Sequence, residues 1–293
     1  MNVLVTGACG MIGSALCQAL LEAGHSVVGI DRVAPSSSPS SPGLRLLQAD
    51  LGDAPALRRI VVETRPDRFV HLAALAHTAG ESDLSWRRYF HVNVECARNL
   101  FEAAGDRPVL FVSTVDVYGF FDGKSPLTPA SPVRPVTPYA RSKALAEDEC
   151  RKLPHYDIFR FSPVYTPTVK RDIQKRYYLK YPSIAYRVGR GAEFECLDVR
   201  VALDAMVVWC SAPPSNTVRV VKDPRRLAVA TLIQAEKAAG RARFVLPVPR
   251  FAALAAYALA RLLLPRSPKT YLLSKAVHPL RTAPSTPDTG DLA

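Results

Sequence analysis

The sequence predicts an α/β fold, a doubly wound parallel sheet with a smaller, mixed C-terminal lobe. Three observations carry this reading. Through residues 1–162, apolar strand patterns alternate with helix-period patterns. The first strand runs straight into a glycine turn that opens a helix. Beyond residue 162 the alternation frays, and basic and aromatic residues interleave. The expected organisation is a core over 1–162 and a lobe over 163–280 whose chain crosses back to the core. A tail over 281–293, rich in Pro, Thr and Asp, is expected to be disordered.

The elements follow in order. Met1 to Thr6 is a strand, Ser14 to Ala23 an apolar helix, and Ser26 to Ile30 a second strand closing on Asp31. Leu44 to Gln48, Arg68 to Leu72, Val109 to Ser113 and Asp157 to Phe161 read as further strands. Ala54 to Thr64, Ser85 to Ala104 and Pro138 to Lys152 read as helices between them. The Pro/Ser-rich stretch from Pro35 to Gly43 reads as a mobile surface loop. In the lobe, Val218 to Val221 is a strand and Arg226 to Ala239 a helix. Phe251 to Leu264 is strongly apolar, interrupted by Arg261, and too short to span a bilayer. A core or lobe-packing helix is expected there, with a membrane-surface helix as the lesser alternative.

The turn reads Gly7-Ala8-Cys9-Gly10-Met11-Ile12-Gly13. Gly7 suits the tight turn, Gly10 lets the backbone approach a pyrophosphate, and Gly13 lets the helix pack on the strand. The helix N-terminus, beginning at Met11 and Ile12, then faces the phosphates. Asp31 ends the second strand, where a carboxylate accepts from both adenosine ribose hydroxyls and repels a 2′-phosphate. The expected unit is therefore of the Rossmann type, and the expected cofactor is NAD rather than NADP. A ligand-free glycine turn is the alternative, disfavoured by the strand–turn–helix–strand–acid context.

The chain has 293 residues, 48% of them hydrophobic, enough for a sizeable core. Its net charge of +12 is uneven: residues 1–150 carry 14 Lys/Arg against 16 Asp/Glu, and residues 151–293 carry 24 against 10. The basic half fits an anionic partner such as a diphosphate-bearing substrate, nucleic acid or a membrane surface. No nucleic-acid motif accompanies it, so no nucleic-acid partner and no membrane span are expected. Six scattered cysteines without a CxxC pair imply reduced thiols, no metal site and a cytoplasmic location without a leader peptide. His71 and His77 read as core or loop histidines rather than ligands.

The chemistry centres on Tyr139-Ala140-Arg141-Ser142-Lys143. Tyr and Lys four apart share a helix face, and a nearby ammonium lowers a phenol pKa. Tyr139 could then exchange a proton with an alcohol or carbonyl near neutral pH. The preceding strand ends in Ser113-Thr114, placing a hydroxyl at the carboxyl end of a central strand, where it faces the ligand crevice.

These motifs, in this order and spacing, resemble an extended short-chain dehydrogenase/reductase of the NAD-dependent epimerase/dehydratase family. The resemblance covers residues 1–205. Thr6 to Gly13 matches the family's TGxxGxxG, Asp50-Leu51 its adenine-contacting pair, and His71-Leu72-Ala73-Ala74 its HxAA segment beside the cofactor. Asn93-Val94 matches the start of its fourth helix, and Thr114, Tyr139 and Lys143 its catalytic residues. Arg160 to Pro167 resembles its RxxNVYGP segment, and Leu197-Asp198-Val199 its VDDV segment.

The resemblance implies hydride chemistry on a nucleoside-diphosphate sugar with a tightly held NAD, Tyr139 moving the hydroxyl proton and Thr114 bonding the same oxygen. It also implies a homodimer built on helices 85–104 and 138–152. Several positions depart from the family. Pro163 stands where many sugar-nucleotide enzymes have a substrate-contacting asparagine, and Thr166 replaces a glycine. Val115 and Asp116 stand where 4,6-dehydratases have an Asp-Glu pair. Asp116 and Arg187 remain substrate candidates, with Arg171, Arg176 and Arg190 as further phosphate clamps. An epimerase is the leading expectation. The alternatives are a net dehydrogenase or reductase, a 4,6-dehydratase-like enzyme, and a non-catalytic dinucleotide sensor.

Overall fold

The computed structural model describes residues 1–34, 41–76, 83–166, 171–265 and 267–283. His77 and most of the Pro35 to Gly43 stretch lie outside the described residues. The first half forms β1 (Asn2–Thr6), α1 (Met11–Glu22), β2 (Ser26–Asp31), β3 (Leu44–Gln48), α2 (Ala54–Thr64), β4 (Arg68–His71), α3 (Asp83–Phe90), α4 (Cys96–Ala104), β5 (Val109–Thr114), α5 (Pro138–Cys150) and β6 (Tyr156–Phe161). The second half forms β7 (Val164–Tyr165), α6 (Arg171–Gln174), β8 (Tyr178–Lys180), β9 (Ile184–Val188), β10 (Glu193–Phe194), β11 (Leu197–Asp198), α7 (Val199–Ser211), β12 (Val218–Val221), β13 (Leu227–Ala228), α8 (Val229–Ala238), β14 (Phe244–Val248), α9 (Arg250–Leu263) and α10 (Pro268–Val277).

The chain divides into two compact units. One comprises Met1–Val117, Thr137–Phe161 and Val199–Val218; the other comprises Tyr118–Val136, Ser162–Asp198 and Arg219–Ala293.

The first unit holds the large sheet, in the order β12-β6-β5-β4-β1-β2-β3. Strands β1 to β6 run parallel. From β1 the chain builds outward through β2 and β3, then returns to β4 and builds the other way. The order therefore reverses between β1 and β4, which opens a crevice at their carboxyl ends. The central strands read as unbroken apolar runs because both faces are covered. Leu4, Phe69, Leu100, Phe111 and Ile158 are fully buried in one cluster. Each contributes about 1.5–3 kcal/mol by leaving water.

The helices begin where the sequence supplies caps. Asp53 accepts from the Ala56 amide at the start of α2, and Thr137 accepts from the Ala140 amide at the start of α5. Pro55 and Pro138 sit in the first turns, where a missing N–H costs nothing. The single helix expected over 85–104 is interrupted by a π turn, His91–Glu95, between α3 and α4. The helix expected from Arg226 starts at Val229, because Leu227–Ala228 pairs antiparallel with Glu193–Phe194.

In the second unit β9 pairs antiparallel with β8 and parallel with β14. Tyr177, Tyr178, Phe194 and Ile233 form its core, and the Tyr178 hydroxyl donates to buried Glu236. The tail expected to be disordered from residue 281 is held as far as Ala283. Thr282 bridges to Leu127, and its amide and hydroxyl both donate to the buried Glu195 carboxylate. The remaining residues, 284–293, lie outside the described ones.

Candidate active site

The glycine turn sits at the carboxyl end of β1. Gly7 has φ +73°, and a Cβ there would stand 2.9 Å from the Ala73 nitrogen. A Cβ on Gly13 would stand 2.0 Å from the Gly7 carbonyl oxygen, so only glycine lets α1 approach the turn. Gly10 caps α1 in an extended conformation without a side-chain bond. The first-turn amides of α1, from Met11 on, have no intrahelical acceptor and open toward the crevice end of the sheet.

Asp31 closes this turn from the side. Its carboxylate accepts from the Cys9 amide at 2.9 Å and from the Val33 amide at 3.0 Å. One side chain thus ties β2 to the glycine turn and keeps lone pairs for a ribose. Asp50 accepts from the Gly52 amide, while the Leu51 side chain is buried in the core. Leu51 therefore offers a ligand only its backbone.

At β4 the segment Leu72-Ala73-Ala74 is held by two anchors. Thr6 Oγ1 pairs with His71 Nδ1 at 2.7 Å and accepts from the Ala73 amide at 3.3 Å. Burial, then the charge of Lys143, pushes the His71 pKa down to about 3, so the ring is neutral. It stacks on Phe111 of β5. Asn93, in the π turn, is the second anchor. Its side chain accepts from the Leu75 amide and donates to the Leu75 carbonyl and Ser142 Oγ. Asn93 is buried, and its side chain joins the Leu75 segment to α5.

Thr114 is the last residue of β5, and its hydroxyl accepts from the Asp116 amide at 3.2 Å. Helix α5 packs on β5 and carries Tyr139 and Lys143 one turn apart. The Tyr139 ring lies 6.3 Å from that of Tyr89 on α3. Lys143 is 2% exposed, and its ammonium sits 4.0 Å over the Phe111 ring. Burial pushes the Lys143 pKa down to about 7, with Glu147 and Cys150 offsetting part of the fall. The ammonium expected beside the phenol is therefore poised between its two protonation states at neutral pH.

One more turn along α5 lies a residue that the sequence reading missed. Glu147 is fully buried and accepts from Ser113 Oγ at 2.6 Å, from Arg160 through two nitrogens, and from Arg151. Burial opposes its ionisation, but Arg160, Ser113 and Arg151 together hold its carboxyl below the usual range. This network locks α5 to β5 and β6, and with them Tyr139 and Lys143. The available signal was a Glu one turn past Lys143, with an Arg in the following strand.

Asp116 lies in the 3₁₀ turn after β5. Arg187 belongs to the second unit, on β9. There Tyr186 and Val188 line a small pocket with Arg176 and Phe194, while Arg187 alternates to the other side of the strand. The Arg176 guanidinium lies 4.8 Å over the Phe194 ring, and Arg176 and Lys275 are the basic residues lining that pocket. Tyr177 and Tyr178 are packing residues. Among the described residues no cluster of His, Cys, Asp or Glu could hold a metal, and no helix is long and apolar enough to cross a membrane.

A glycine turn at the switch point of a doubly wound sheet, with Thr114 on β5 and Tyr139 and Lys143 on α5, defines a Rossmann fold of the extended short-chain dehydrogenase/reductase class. The model of the NAD dependent epimerase/dehydratase family matches residues 3–197, and the chain belongs to that family. UDP-glucose 4-epimerase 2 of Arabidopsis thaliana is 35% identical over 170 residues, 53% of this chain and 48% of that protein. UDP-glucose 4-epimerase of Neisseria meningitidis serogroup A is 37% identical over 158 residues, 50% of this chain and 46% of that protein. The chain spans about half the length of these curated relatives. Among solved structures, UDP-glucose 4-epimerase of Thermus thermophilus, in complex with NAD, superposes with a TM-score of 0.66 at 27% identity, covering 85% of this chain and 86% of that one.

Proposed function

We propose that this chain holds NAD in the crevice between β1 and β4 and epimerises a nucleoside-diphosphate sugar. The observation that carries this is the pairing of an open helix N-terminus at β1 with the Tyr139–Lys143 turn of α5 packed on β5. The residues fit the cofactor on their own terms. A Cβ would fill the cradle at Gly7 and Gly13, the amides of α1 suit a pyrophosphate, and Asp31 presents a carboxylate suited to an unphosphorylated ribose. When bound, the nicotinamide supplies reversible hydride acceptance.

The protein side does the rest. Tyr139 takes the proton from the reacting hydroxyl and returns it. Thr114 donates to the same oxygen once the Asp116 amide has fixed its hydroxyl. Lys143, charged, favours the phenolate of Tyr139 and donates to the nicotinamide ribose. The Glu147 network and Asn93 hold these groups in register. The relatives named as UDP-glucose 4-epimerases support this choice of reaction, and the basic second half of the chain suits a diphosphate. Val115, apolar where a dehydratase carries an acid, weighs against water elimination. We assign the working form to a cytoplasmic homodimer built on the α3–α4 and α5 helices.

The test is turnover of UDP-, dTDP- and GDP-sugars with product isomers resolved by chromatography. Isomer formation without net change at about 340 nm, the reduced-nicotinamide band, is the expected result. Sustained production or consumption of NADH would replace epimerisation by net dehydrogenation or reduction. Tyr139→Phe should abolish turnover and leave NAD binding nearly intact; turnover retained in that variant would remove Tyr139 from the acid/base role.

A further inference from the structure

We propose that α9 is an interfacial membrane anchor, lying in the headgroup plane of an anionic bilayer. A helix on the surface of a globular protein turns its large apolar residues inward. Helix α9 keeps Leu254 and Tyr257 half-buried but turns a second set of large apolar residues outward. Its single buried residue is Ala253, whereas Phe251 is 77% exposed and Leu262 is 78% exposed. Phe251, Ala255, Leu259 and Leu262 recur at i, i+4, i+8 and i+11, one continuous stripe facing water. Leu263 and Leu264 widen its C-terminal end. Arg250 flanks the stripe at one end, and Arg261, whose guanidinium lies 4.0 Å over the Phe120 ring, flanks it at the other.

Charge selects the occupant. From Lys237 to Pro287 the chain carries no Asp or Glu and nine Lys/Arg, of which Arg241 is paired with Glu236 just before the stretch. Two copies brought face to face on this surface would oppose cation to cation. A nucleic acid would satisfy the cations but leave the phenylalanine and leucines against phosphate. An anionic bilayer satisfies both, with the leucines in the acyl boundary and the arginines at the headgroups. At fourteen residues α9 lies on a membrane rather than crossing it. The anchor belongs wholly to the second unit and does not depend on the proposed reaction.

The experiment is co-flotation of the full chain with vesicles of phosphatidylcholine alone and of phosphatidylcholine with about one-quarter phosphatidylglycerol. Binding to the anionic vesicles only, weakened by salt and cut about tenfold or more by Leu259→Gln with Leu262→Gln, is expected. A Phe251→Trp reporter should show a blue shift and quenching by brominated lipid, and it carries the test if the double variant does not fold. No flotation with anionic vesicles overturns the proposal. So does a dimer in light scattering that the double variant dissociates, or retention on single-stranded DNA without vesicle binding.

Discussion

Lys143→Met should stabilise the protein while disabling it. In the native chain the lysine is 2% exposed, and burial moves its pKa from 10.5 to about 7. At about 1.4 kcal/mol per pH unit, that displacement corresponds to about 5 kcal/mol of native-state cost when the side chain is charged in the unfolded chain. Because the folded pKa is lowered, the unfolded chain binds the extra proton between pH 7 and 10.5. Stability of the native protein therefore rises with pH across that window, and the cost is constant below it. Methionine fills a similar volume beside Phe111 without a charge. Guanidinium unfolding of both proteins at about pH 6, 8 and 10 measures the effect, and groups common to both cancel in the difference. The variant should lead by up to about 5 kcal/mol at the lowest pH, with the lead shrinking steadily toward the highest. A lead that does not change with pH, or a variant less stable at the lowest pH, would refute the view that Lys143 is held against its own desolvation. Loss of turnover in the same variant would mark that stored cost as functional.

Three further outcomes follow from the geometry. Glu147→Gln leaves Arg160, itself buried, without its counter-charge and should cost about 3–5 kcal/mol in chemical unfolding; because the native Glu147 pKa is lowered, the native protein should lose stability as pH falls below the carboxylate range. Gly13→Ala drives a methyl to 2.0 Å from the Gly7 oxygen, so calorimetric titration should show NAD affinity down at least about tenfold, with a stability loss of about 1–3 kcal/mol. Asp31→Ala should weaken NAD and narrow its advantage over NADP in the same titration, since the carboxylate that repels a 2′-phosphate is gone; an unchanged ratio would remove Asp31 from the ribose role.

The sheet was legible because its signals are local. An apolar run, a glycine turn, a helix-period stretch and a proline or aspartate at a helix start each fall within a dozen residues. That is why β3, α2 and β12 agree with expectation to the residue. Thr114, Tyr139 and Lys143 were legible as motifs. What holds them was not, because it spans the chain. The partners of Asn93 are Leu75 and Ser142, and those of Glu147 are Ser113 and Arg160. No dozen-residue window holds such a pair. The π turn at His91–Glu95 escaped for a related reason: its gain is the aim of the Asn93 side chain, which apolar periodicity does not register. Thr282 misled because a Pro/Thr-rich composition describes a segment's average and says nothing of one buried hydroxyl.

The Glu195–Thr282 bond also bears on how the chain is made. The two residues are 87 positions apart. At a synthesis rate of about 5–20 residues per second, Glu195 is incorporated about 4–17 s before its hydroxyl partner exists. During that interval the second unit lacks its closing bridge at Leu127, whereas every strand from β1 to β6 has already been synthesised. Maturation on the ribosome is therefore ordered, with the nucleotide-binding sheet able to assemble first and the basic lobe sealed by residues translated well after it.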